Sequence, residues 1–139
     1  MIWLLLVVYQ LKHFLADYPL QGKYMLGKFQ PYPKFILPLL AHAGVHAAFT
    51  FLIAVCFKPV GVALGLGLLD ATIHFVVDRI KASPDLLGRF KPLTKETYIA
   101  AAQANDQAAI RGNTFFWWAL GWDQAMHHLT HYFLIWMIL

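Results

Sequence analysis

Apolar residues in this chain fall into long runs separated by short stretches rich in proline, glycine and charge. Four runs, at about 2–17, 35–57, 59–79 and 115–139, predict helices of the length a bilayer core requires, roughly 17–25 residues. The first is slightly short and ends ahead of Pro19, which disfavours helix in the residue before it. Pro38 falls in the first turn of the second run, where a missing N–H does little harm. Only Lys58-Pro59 parts the second run from the third, so these two form a tight hairpin, with Gly61, Gly65 and Gly67 allowing close approach. The fourth carries Trp117, Trp118, Trp122 and Trp136, residues suited to bilayer interfaces. The expected fold is an all-α membrane protein, one domain over 1–139, with four transmembrane helices. A cytoplasmic or interfacial helical segment is expected between the third and fourth.

Two stretches remain. Residues 18–34 contain Pro19, Gly22, Gly27, Pro31 and Pro33 and are expected to be irregular. Residues 81–113 are polar, and Thr94 followed by KETYIAAAQANDQAAIR reads as one capped helix at the membrane surface.

Composition strengthens the membrane reading. Of 139 residues 60% are hydrophobic and 13% charged, where soluble domains carry roughly 25% charged residues. So short a chain cannot bury that much apolar surface, and the surplus must face lipid or a second copy of the chain. Cys56 is the only cysteine, which excludes an intrachain disulfide, a CxxC zinc site and c-type haem attachment. The first residues lack a charged leader and a small-residue cleavage pattern, so they are expected to stay as a helix. Lys23, Lys28 and Lys34 lie in the first connection, and Lys81, Arg89, Lys91, Lys95 and Arg111 in the third, against Lys58 alone in the second. The positive-inside rule then puts the first and third connections in the cytoplasm and both termini outside, in a bacterial inner membrane. Topology accounts for the net charge of +4, and nucleic acid is not an expected partner.

Chemistry resides in the runs themselves, since every histidine falls within one. His13 and Asp17 are four apart, as are His42 and His46; Asp70, His74 and Asp78 follow at steps of four; Asp123, His127, His128 and His131 share the last run. Steps of three and four place side chains on one helical face, the way helical bundles present metal ligands. At about 1.5 Å per residue, His13 lies roughly 18 Å and His46 and Asp70 roughly 16 Å from the outer ends of their helices. The span from His131 to Asp123 covers roughly 12–24 Å. Four helices of alternating direction thus bring their polar faces to overlapping depth. An aspartate at the centre of a span costs about 2.5–3.5 kcal/mol on insertion scales, so each must be paired, bind a cation or line a path. A hydrogen-bonded network that only joins helices is the plainer alternative.

Eleven such residues exceed one tetrahedral shell. Metal ligands are expected among His13, His42, His46, Asp70, His74, Asp78, His127 and His131, with His42, His46, Asp70, His74, His127 and His131 preferred around the first ion. Either two metals bind, or some of these residues orient imidazoles or act as bases: His13, Asp17, Asp78, Asp123 and His128 are expected as ligands to a second metal, orienting groups or bases, with Asp17, Asp123 and His128 as the catalytic ones. Nitrogen and oxygen donors suit zinc first, then manganese or iron.

The runs HFLADYPLQ, HAGVHA and DATIHFVVD and the DxxxHH segment from Asp123 to His128 together resemble a family of small integral-membrane proteins of bacteria and phages, classed as a domain of unknown function. The likeness covers nearly the whole chain, and HFLADYPLQ is its most specific part. More remotely, the pattern is similar to membrane-bound metal-dependent hydrolases. The resemblance implies a membrane fold and polar motifs rather than a substrate.

The leading expectation is a membrane-embedded metal-dependent hydrolase acting on a lipid or lipid-linked substrate near the cytoplasmic leaflet, where basic connections can hold an anionic headgroup. A transporter or channel for divalent metal ions or protons is the alternative from another class, although the outer halves of the helices are apolar. HAGVH and HHLTH loosely resemble the histidine clusters of di-iron membrane oxygenases, a pattern the aspartates fit poorly. Haem between facing histidines fits less well for the same reason.

Overall fold

The computed structural model describes residues 1–83, 86, 95–112 and 114–139. Among these the chain is helical, with no strand. Helix α1 runs Ile2–Asp17 and stops at Tyr18, ahead of Pro19. A 3₁₀ helix, Met25–Phe29, interrupts the connection to α2, Ile36–Ala54. Helix α3, Val60–Ala82, begins directly after Pro59. Two short helices follow, α4 (Lys95–Gln103) and α5 (Gln107–Arg111), before α6, Thr114–Ile138.

Helices α2 and α3 are long and apolar enough to cross a membrane. Helix α1 has 16 residues and is about 24 Å long at 1.5 Å per residue. Helices α1, α2, α3 and α6 pack in that cyclic order, each against its two neighbours. The α2–α3 pair is the closest, and Gly67 makes it so. A Cβ on Gly67 would meet the Ala47 carbonyl oxygen at 2.9 Å and the Phe51 Cβ at 3.4 Å. Gly61 and Gly65, expected at the same contact, have nothing within 4 Å of a built Cβ.

Two connections differ from expectation. The stretch 18–34 was expected to be irregular, yet its 3₁₀ helix packs on α2 and buries Lys28. Gly27 permits this, because a Cβ there would lie 2.8 Å from Pro38 Cγ. The single helix expected after Thr94 is two helices. Asn105 adopts φ 52°, and the Asp106 carboxylate accepts a hydrogen bond from the Ala109 N–H at 2.9 Å, which starts α5 afresh. Thr94, the expected cap, lies outside the described residues, as do Arg89 and Lys91.

The interior is polarised along the bundle. At one end Leu5, Tyr9, Ala54, Ala63, Leu66, Leu134, Ile135 and Ile138 form an apolar cluster. Toward the other end the buried faces turn polar: Lys12 and His13 on α1, His42, His46 and Thr50 on α2, Asp70, His74 and Asp78 on α3, and Asp123, His127 and His131 on α6. The outside is the reverse, with Trp3, Leu4, Val7, Leu11, Leu52, Leu64, Trp118 and Trp136 all exposed.

The two glycine environments give a paired test. Gly67→Ala should destabilise the protein by about 1–3 kcal/mol through overpacking. Gly65→Ala should be neutral or stabilise α3 by up to about 1 kcal/mol through helix propensity. Thermal unfolding in detergent measures both, and equal effects at the two positions would remove Gly67 from its role at the contact.

Candidate metal centre

Each helix contributes its polar side chains at steps of three or four, so the side chains stack along the bundle axis. Nearest the apolar end, the Lys12 ammonium of α1 reaches across to Asp70 of α3, and both side chains are 1% exposed. Thr50 of α2 donates its hydroxyl to the same carboxylate oxygen at 2.6 Å.

Next come the imidazoles. The His46 and His74 rings stack with centroids 3.5 Å apart, and His74 and His127 lie 4.0 Å apart. His13 sits 5.1 Å from His127 and 5.2 Å from His131. Neither ring nitrogen of His74 has a hydrogen-bond partner, and the same is true of His131. His127 Nδ1 lies 2.8 Å from the Asp123 carbonyl. A carbonyl only accepts, so Nδ1 carries the proton and Nε2 presents a lone pair.

Beyond the imidazoles lie three carboxylates. Asp17 Oδ1 is 3.0 Å from His46 Nε2, 3.5 Å from His42 Nε2 and 4.0 Å from His74 Nε2. Its other oxygen is 3.3 Å from His13 Nε2. Asp78 Oδ2 takes the Lys28 ammonium at 2.6 Å and lies 3.3 Å from His42 Nε2. Asp123 takes Lys81 at 2.6 Å and the Gln124 amide at 3.2 Å.

Two groups of these side chains can hold a metal ion: Asp17, His42, His46 and His74, and His74, Asp78 and His127. Within each group the donor atoms lie within 4.8 Å of one another. Ligands about 2.0–2.1 Å from a tetrahedral zinc sit about 3.4 Å apart along each edge, and the Asp17 distances bracket that value. Three of the four carboxylates borne by the long helices have a lysine. Asp17 faces only imidazoles.

His42, His46, His74, Asp78 and His127 belong to the two groups, and so does Asp17, expected as a ligand to a second metal, an orienting group or a base. Asp70 is paired with Lys12 and Thr50 and belongs to neither group; His131, next to Tyr9 at 5.2 Å, and His13, beside Asp17, lie outside both. Asp123 is held by Lys81. His128 turns toward an open groove of about 450 Å³ between α1 and α6, where its Nδ1 accepts from the Gln10 amide at 3.1 Å.

Lys12, Lys28 and Thr50 were missed as site residues, and Lys28 and Lys81 were read as loop charges. Lys12 had a signal: a lysine inside an apolar run requires a buried carboxylate. Lys28 had none, because its burial depends on how the 3₁₀ helix folds back on α2.

Lys12→Met should destabilise the fold by about 3–5 kcal/mol, since it leaves a buried carboxylate uncompensated. A Lys12→Met, Asp70→Asn double variant should be more stable than the single one, because it removes the stranded charge. Denaturant unfolding in micelles distinguishes the two; a double variant worse than the single would mean that Asp70 has another essential partner.

No protein-family model, no curated protein and no solved structure matches the chain.

Proposed function

We propose that the chain is an integral membrane protein with α1, α2, α3 and α6 as its four spans, and that it is a metal-dependent hydrolase of a lipid or lipid-linked substrate. Zinc is the metal that the donor set suits best, with Asp17, His42 and His46 as its ligands. The observation that carries the reading is Asp17: a largely enclosed carboxylate with four imidazoles within 4.0 Å and no lysine. A cation there completes the neutralisation that lysines supply to Asp70, Asp78 and Asp123.

Several features support the membrane part. The faces of α1 and α6 that turn outward carry Trp3, Leu4, Val7, Leu11, Phe14, Leu129, Phe133 and Trp136, a contiguous apolar exterior that a water-facing monomer rarely tolerates. The polar interior is what a bilayer requires of ionisable side chains. Lys23 and Lys34 in the first connection and Arg89, Lys91, Lys95 and Arg111 in the third outnumber Lys58 in the second. That bias favours a cytoplasmic position for the polar end, in an inner membrane.

The hydrolase part rests on the ligand geometry and on access. His74 stands farther from Asp17 than His42 and His46 do, so two imidazoles and one carboxylate form the tight set and leave a position open. A zinc ion held by such a set would supply Lewis acidity, lowering the pKa of water to roughly 7. His13 orients Asp17 through its second oxygen. His74, with both ring nitrogens unpartnered, is the base beside the open position. Asp17 is the least buried of these groups, at 18%, so substrate approaches from its end. The apolar cluster closes the opposite end, which disfavours a through-path for ions.

Elemental analysis of detergent-purified protein tests the centre. The native chain should hold zinc, and Asp17→Asn and His46→Ala should each weaken binding by more than the roughly 10–100-fold that loss of an orienting partner costs. His74→Ala should keep the metal and lose headgroup release from vesicles of bacterial lipid, read by mass spectrometry. Metal content indifferent to Asp17 and His46 would end the metal reading; hydrolysis indifferent to all three would end the enzyme reading.

A further inference from the structure

The second group, His74, Asp78 and His127, has the donors of a metal site. His127 Nε2 is 3.9 Å from Asp78 Oδ1, and His74 Nε2 is 3.9 Å from Asp78 Oδ2. His127 is buried, its Nδ1 proton is committed to the Asp123 carbonyl, and its Nε2 lone pair has no hydrogen-bond partner. An imidazole locked in that tautomer is prepared to ligate. What differs from the first group is Asp78, which already holds an ammonium at 2.6 Å.

That ammonium comes from outside the bundle. Lys28 belongs to the 3₁₀ helix, fifty residues from Asp78 in sequence. Its burial depends on Gly27 lying against Pro38. Few exposed lysines give up their hydration, and this one does so where a second cation would sit.

We propose that His74, Asp78 and His127 form a latent second metal position which Lys28 keeps shut, so that the native protein holds one zinc ion and Lys28 stands in for another. This rests on the metal reading of Asp17, His42 and His46 and adds to it the number of ions. His74 belongs to both groups of donors and stands beside the first position, so a second divalent ion would sit close to the first with only Asp17 and Asp78 to offset four positive charges. One ammonium in its place lowers that total by one and, unlike a metal ion, needs no lone pair from His127.

The test is zinc stoichiometry after equilibrium dialysis of the full-length protein in detergent. Native protein should hold one zinc per chain, Lys28→Met two, and the Lys28→Met, His127→Ala double variant one. His127→Ala alone should keep the single ion, an arm that depends on no Lys28 variant. Lys28→Gln replaces Lys28→Met if the latter aggregates. Two ions in the native protein, or one in folded Lys28→Met, would each overturn the latent position while leaving the Asp17 centre standing; loss of the native ion in His127→Ala would place that ion at His127 and overturn both. No zinc in the native protein would overturn both.

Discussion

Neutralising buried carboxylates is the constraint on which the rest of this structure depends. Asp70, Asp78 and Asp123 lie inside the bundle at a few per cent exposure or less, where an uncompensated charge costs several kcal/mol. Each meets a lysine from another element: Lys12 from α1, Lys28 from the 3₁₀ helix and Lys81 from the far end of α3. For Asp70 and Asp78 the lysine also fixes topology. Lys12 ties α1 to α3 across the bundle, although each packs mainly on other helices, and Lys28 holds the first connection against the mouth of the bundle. The geometry of the imidazoles follows from this scaffold, since Asp17 can gather His42, His46 and His74 only when α1, α2 and α3 meet at a fixed height.

The same constraint explains the polarised core. An interior lined with imidazoles and ion pairs contributes little hydrophobic stabilisation, so the apolar cluster around Leu5, Leu66 and Leu134 and the close α2–α3 contact at Gly67 must hold the helices together. Apolar packing is concentrated at one end and buried ionisable groups at the other. In a bilayer, where exposed leucine and tryptophan cost nothing, such a division is affordable.

Much of the helical plan was legible in the sequence, because it follows from apolar run length and from proline. Pro19 and Pro59 mark the end of α1 and the start of α3 as the structure has them. Steps of four also revealed which polar faces turn into the bundle: His13 with Asp17, His42 with His46, and Asp70 with His74 and Asp78. Partner choice was not legible. Asp17 and Asp70 have the same residue type and comparable settings in the sequence, yet one gathers imidazoles and the other a lysine, because the identity of the neighbour across the bundle is set by rotation and height of separate helices. Lys28 could not be told from Lys23 by any local signal, since only the fold of the connection separates them. The helix break at Asn105-Asp106 could have been found, as Asn tolerates left-handed backbone and Asp caps the next helix; the alanines on both sides hid it.

The Lys12–Asp70 pair has a consequence for biogenesis. Asp70 follows Lys12 by 58 residues, and at about 5–20 residues per second a ribosome needs several seconds to cover that distance. Throughout that interval α1 is a short helix with an unpaired lysine near its middle, a poor candidate to enter lipid alone. The α2–α3 hairpin, the most apolar part of the chain, carries the missing carboxylate. On the proposed four-span reading, α1 would wait at the headgroup boundary or inside the insertion machinery, and its commitment to the membrane would follow that of helices made after it.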